Sequence, residues 1–154
     1  MTFRDQPWEQ RFAKMGDEAE GHFERYAEEA LGLNFVRFGL DRPPLKMSAL
    51  PTRLRYTPDY LMSNNFVEVQ GFGRDQTFKI KLDKLNALHW WNDLHPVYLY
   101  VWDTTNEREC FVHLFTIDLI INNGDSTLSA FPEGKAYHAI PGDLLFEHAD
   151  QLDE

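Results

Sequence analysis

The sequence predicts an α/β fold, with one mixed β-sheet flanked by helices in a single domain. Three observations carry that expectation. A long proline-free stretch at the start has apolar groups at helical spacing. A turn-prone Asn64-Asn65 pair sits between two short runs that alternate as strands do. A second helical stretch is followed by the run Val97–Trp102, apolar on every residue, as a strand covered on both faces would be.

The first helix is expected over Trp8–Leu31, where Phe12, Met15, Ala19, Phe23, Tyr26 and Ala30 form one stripe, with Gly32 as its C-cap. Asn34–Leu40 reads as a short strand. Asp41–Pro51, with Pro43 and Pro44 adjacent, reads as a loop, and Arg53–Tyr56 as a short extended piece. Tyr60–Met62 and Phe66–Gln70 make a hairpin. A glycine-containing loop over 71–76 follows, then an extended Thr77–Lys81. Leu82–Leu94 is expected to be a helix, with Leu82, Leu85 and Leu88 on one side and Pro96 ending it. Cys110–Phe115 reads as a strand and Thr116–Ile121 as a short helix. Beyond Gly124 only turns and short strands are legible. The domain is placed at 1–146, with a loose acidic tail at 147–154.

The 154 residues suit one compact domain, and 43% hydrophobic with 26% charged residues supplies a core. The single cysteine, Cys110, excludes an internal disulfide framework. The longest apolar run is far below the roughly 20 residues of a membrane helix, and the first residues lack a signal pattern. The expectation is a soluble cytoplasmic protein with no membrane partner.

The net charge of -10 taken alone argues against a polyanionic partner. The charge is uneven, however. Between Asn34 and Trp91 nine basic residues stand against five acids, a net +4, which leaves -14 on the flanks. The middle could face phosphates, but for the charge pattern by itself an unevenly charged, solvated surface is the favoured reading.

The hairpin is more informative. With Asn64 and Asn65 as the loop, Met62 pairs with Val67, Tyr60 with Val69 and Asp59 with Gln70. Asp59, Glu68 and Gln70 then share one face, while Tyr60, Met62, Val67 and Val69 share the other. The apolar face belongs to a core. The polar face holds two carboxylates beside an amide, an oxygen-rich group suited to Mg²⁺ or Mn²⁺. Solvated acids on an ordinary hairpin explain it equally well.

Pro58-Asp59, nine residues before Glu68-Val69-Gln70, resembles the signature of the PD-(D/E)xK nuclease superfamily. Lys14-Met15-Gly16-Asp17-Glu18-Ala19-Glu20 resembles the first-helix segment of archaeal Holliday-junction resolvases, with an acid four positions after the glycine. Phe78-Lys79-Ile80-Lys81 before a leucine-striped helix follows the order of phage members. The resemblance spans about residues 12–115 and implies a restriction-endonuclease-like fold. It implies hydrolysis of DNA phosphodiester bonds with Mg²⁺ or Mn²⁺, in recombination, repair or phage DNA processing. By the same resemblance Asp59, Glu68 and the Val69 carbonyl would be metal ligands, and Glu20 would reach the site from the first helix. A homodimer is the assembly such a small nuclease would use.

One position departs from the family. Its lysine is replaced by Gln70, which can orient a water but carries no charge. Lys81, then Lys79, are the first choices to replace it. Arg74, Lys84, Arg53 and Arg55 are the expected nucleic-acid contacts. The other reading that the missing lysine and the acidity support is a catalytically inactive nucleic-acid-binding or assembly protein on the same fold. A purely structural acidic protein explains least. No His-x-x-x-His or His-Glu-x-x-His pair is present, which argues against a zinc hydrolase. His89 is expected to be a packed histidine. Trp90 and Trp91 are expected to be core anchors sooner than base-stacking platforms.

Overall fold

The computed structural model describes residues 8–29, 32, 34–39 and 50–149, with side chains from residue 16 onward. Helix α1 runs Trp8–Glu29, and Gly32 after it adopts the left-handed backbone (φ 61°) expected of a cap. Strand β1 (Phe35–Arg37) is shorter than expected. Thr52–Arg55 is a short helix, α2, and not extended. Then come β2 (Tyr60–Met62), β3 (Asn65–Phe72), β4 (Thr77–Lys81), α3 (Leu82–Asn92), β5 (Val97–Asp103), β6 (Arg108–His113), α4 (Leu114–Asn122), β7 (Thr127–Ala130), β8 (Ala136–Pro141) and α5 (Gly142–Glu147). The expected loop over 41–51 and the last residues of the tail lie mostly outside the described residues. Among the described residues no helix is long and apolar enough to cross a membrane.

A five-stranded mixed sheet has the order β1-β2-β3-β5-β6, with β3 and β5 parallel. A parallel pair needs a crossover, and β4 with α3 supplies it. The sheet is covered on both sides. On one face Ala19, Phe23 and Ala27 of α1, spaced four apart, pack on Tyr60, Met62, Val67, Tyr100 and Trp102. Phe23 is fully buried, with Phe35, Tyr60 and Tyr100 rings around it. The other face joins Phe66, Leu99, Val101 and Val112 to Leu85, Leu88 and Trp91 of α3 and to Ile117 and Ile120 of α4.

β4 does not extend this sheet. It pairs with β8 in a second, antiparallel sheet of order β4-β8-β7. The second sheet turns Phe78, Ile80 and Ile140 into the shared core. Gly71 and Phe72 belong to β3, not to a glycine loop, because Phe72 is buried and its carbonyl accepts the Thr104 amide. β6 stops at His113, whose Nδ1 accepts the Phe115 amide and caps α4.

The hairpin turn is one residue earlier than expected. Met62 pairs with Asn65, Leu61 with Phe66 and Tyr60 with Val67, so Ser63 and Asn64 form the loop. Ser63 takes the left-handed backbone (φ 49°) that the turn needs. Moving the turn by one residue shifts the register by two, and a shift of two keeps every side chain on its face.

Candidate active site

The acidic site lies just before β2 begins. The register places Asp59 opposite Glu68, one step past the Tyr60–Val67 pair. Asp59 is pinned at both of its ends. Its backbone carbonyl accepts the amides of Phe38 (2.9 Å) and Gly39 (3.2 Å), and its Oδ2 accepts the Val69 amide at 2.8 Å. A β-carbon on Gly39 would come within 2.7 Å of the Pro58 carbonyl oxygen, so glycine is what lets this strand approach Asp59 so closely. A strand residue sends its N–H and C=O to the same edge. The Val69 carbonyl therefore leaves β3 on the side where Asp59 sits.

Glu68 projects from β3 toward α3 and is buried, 7% exposed at its side chain. Its Oε2 lies 2.6 Å from Nζ of Lys84, itself only 17% exposed. Its Oε1 is buried with no hydrogen-bond partner. Burial first, and the Glu68 charge second, push the Asp59 carboxyl well above its ordinary pKa. Burial would lower the Lys84 pKa, but the Glu68 charge and hydrogen bond, with Asp59, outweigh it and hold the ammonium above its ordinary value.

Lys84 stands in the first turn of α3, where the helix dipole disfavours a cation by about 0.3–1 kcal/mol. Glu68 offsets that. Gln70 completes the contact set: its Oε1 is 3.3 Å from Lys84 Nζ, and its Nε2 donates to the Lys79 carbonyl at 2.6 Å. Both ends of the amide are engaged. Gln70 thus braces Lys84 against the backbone of β4.

Lys79 and Lys81 make their contacts elsewhere. Lys79 pairs with Asp75 at 2.9 Å, and Lys81 lies over the Phe131 ring. Alternation along β4 sends Phe78 and Ile80 inward, so the two lysines must face out. Lys84, expected among the nucleic-acid contacts, is the lysine beside Glu68. The signal that could have found it was a cation in the first turn of a helix, where an unpaired one is disfavoured.

Glu20 is joined to the site through an arginine. It pairs with Arg37 at 2.9 Å, and Arg37 also lies 3.6 Å from Asp59 Oδ1. Arg37, counted only as part of the basic middle in the sequence, thus links α1 to the strand carrying Asp59. Three carboxylates (Glu20, Asp59, Glu68) meet two cations (Arg37, Lys84). Among the described residues no three acidic, histidine or cysteine side chains converge to hold one metal. Asp59 and Glu68 nevertheless fit a divalent cation, since Mg²⁺ takes one or two carboxylates and leaves its remaining positions to water and phosphate. The orphaned Glu68 Oε1, beside the partly buried Asp59 carboxylate, is the atom such an ion would satisfy.

Of the expected nucleic-acid contacts, Arg74 is exposed in the turn after β3 and Arg53 is exposed over the Trp90 ring at 4.8 Å. Arg55 turns inward and donates to the Leu50 carbonyl. Trp91 is buried, its indole N–H donating to the Arg53 carbonyl, whereas Trp90 stays partly exposed. His89 is not packed in the core. It bonds Asp118 of α4 at 2.9 Å near the surface.

A mixed five-stranded sheet with helices on both faces is the architecture of the restriction-endonuclease-like fold. Two solved structures share it. A nuclease from a fusselovirus superposes with a TM-score of 0.54 at 8% identity, covering 96% of this chain and 89% of that one. A Holliday junction resolvase of the archaeal hyperthermophile Archaeoglobus fulgidus superposes with a TM-score of 0.52 at 9% identity, covering 89% and 91%. No protein-family model matches the sequence, and no curated protein matches it. At identities this low the likeness is one of fold.

Proposed function

We propose that the protein is a Mg²⁺- or Mn²⁺-dependent endonuclease acting on DNA. One observation carries the reading: a buried Glu68 lies beside a partly buried Asp59, with Lys84 against Glu68 and one Glu68 oxygen left without a hydrogen-bond partner. Asp59, Glu68 and the Val69 carbonyl would hold the ion. When bound it would supply Lewis-acid polarisation of the scissile phosphate and a water of lowered pKa.

The chain's own groups do the rest. The Val69 amide and the Phe38 and Gly39 amides hold Asp59 in place before substrate arrives. Glu68 and Gln70 occupy two of the three donor directions of the Lys84 ammonium, leaving one to meet a phosphate oxygen. The raised pKa keeps that ammonium charged where negative charge develops in the transition state. Gln70 is a positioning residue, braced by the Lys79 carbonyl. The fold shared with a solved Holliday junction resolvase supports trying branched DNA.

The test incubates purified protein with plasmid and with a synthetic four-way junction, in Mg²⁺, Mn²⁺ or EDTA. Metal-dependent cleavage that disappears in Asp59→Ala and Glu68→Ala is the expected result. Binding without cleavage in every metal would establish the non-catalytic alternative, which glutamine at position 70 in place of the family lysine motivates. Mn²⁺ affinity unchanged by both substitutions would overturn the site itself.

A further inference from the structure

The outer face of the second sheet takes no part in the chemistry above. Its inner face is core: Phe78, Ile80 and Ile140 are fully buried. Alternation then sets Lys79 and Lys81 of β4 outward beside Tyr137 and Ala139 of β8, with Thr127 and Ser129 of β7 next to them. Phe131, two residues past Ser129, lays its ring 4.2 Å from that of Tyr137. Lys79 Nζ is 5.7 Å from the Tyr137 centroid and Lys81 Nζ 5.3 Å from that of Phe131. The rings thus hold two long, otherwise mobile side chains in one orientation.

Lys135 joins them. Partial burial is the first cause of a lowered Lys81 pKa and the Lys135 charge is the second. The acids at hand are Asp75, paired with Lys79, and Glu133 and Asp83 near Lys81. These acids offset only part of the repulsion among the three lysines, since burial and the Lys135 charge still outweigh them at Lys81. A polyanion relieves that repulsion, and ammonium groups already oriented lose less freedom in meeting it.

This face also starts at the candidate active site. The edge of β4 that does not pair with β8 offers the Lys79 carbonyl to Gln70, which in turn holds Lys84. We propose that Lys79 and Lys81, seated on Tyr137 and Phe131, and Lys135 beside them contact the phosphate backbone of the DNA leading away from the cut site. The proposal rests on the nuclease reading and adds a task for β7 and β8, a segment in which the sequence shows none.

The test measures binding of a fluorescent 30-base-pair duplex by anisotropy, with Ca²⁺ replacing Mg²⁺, across a salt series. Removing one cation that meets a phosphate makes the slope of log K against log salt shallower by about 0.9. Lys81→Gln and Lys135→Gln should each flatten the slope by about that much and weaken binding several-fold. Lys81→Arg and Lys135→Arg should restore both. Mn²⁺ binding without DNA, followed by calorimetry, should match wild type in all four variants. An unchanged slope in well-folded glutamine variants overturns this proposal and leaves the nuclease reading standing. Wild-type protein that binds neither duplex nor four-way junction overturns both.

Discussion

Replacing Lys84 with methionine keeps most of the stem and removes the charge. Its ammonium lies 2.6 Å from Glu68, with the two side chains 17% and 7% exposed. At that distance and an effective dielectric of about 20, the gross attraction is about 6 kcal/mol. Desolvation of both ions cancels much of it. The substitution reads a different quantity, the cost of stranding Glu68 beside Asp59, which for a buried pair broken on one side is about 3–5 kcal/mol. For a chain of this length that is a fall of roughly 10 °C in Tm. Because charge causes the destabilisation, protonation relieves it, and the deficit should be smaller at pH 5 than at pH 8. Mn²⁺ should recover more stability in the variant than in wild type, since it neutralises the same carboxylates. Cleavage should fall about 10²–10³-fold, the usual effect of removing a group that stabilises transition-state charge. The assay is thermal melting at both pH values with and without Mn²⁺, followed by plasmid cleavage. A Lys84→Met protein that melts with wild type at pH 8 without metal would refute the electrostatic account of the site.

Three further outcomes follow from the geometry. Asp59 has a raised pKa, so its ionised form costs stability as pH climbs above the unfolded carboxyl value. Asp59→Asn, which keeps an oxygen for the Val69 amide, should raise Tm at pH 8 without metal while abolishing cleavage. Asp103 is fully buried; burial pushes its carboxyl up, but hydrogen bonds from Asn106, Gln76 and Arg108 hold it down at about 2. Its contribution is therefore full above about pH 4 and disappears as pH falls through 2, and Asp103→Asn should cost about 2 kcal/mol in urea unfolding at pH 7. Gly39→Ala should push the Pro58–Asp59 strand away, costing about 1–3 kcal/mol and weakening Mn²⁺ binding measured by calorimetry.

Much of the site's frame is legible in the chain. The face shared by Asp59 and Glu68 follows from the period of two, and that period tolerates a turn placed one residue late. α1 is legible because its apolar stripe repeats over many turns. The lysine is not. Lys79 and Lys81 lie nearer to Gln70 in sequence, and the Lys79 carbonyl touches it, but alternation along β4 turns both lysine side chains to the outer face of the second sheet. Lys84 reaches Glu68 only because α3 packs over β3 with its first turn at the hairpin's end. Arg37 is indistinguishable from any other basic residue until β1 pairs with β2 beside α1.

The local terms are thus written in the order of residues: which stretches coil, which alternate, and which side chains share a strand face. These depend on neighbours two to four positions apart, where covalent geometry dictates the spacing. The partners are chosen by packing: the second sheet, the link from Glu20 through Arg37 to Asp59, and the cation against Glu68. Those pairings join residues far apart in the chain, and many side chains of the same charge could have made them. Only the burial of both faces of the sheet brings these particular ones together.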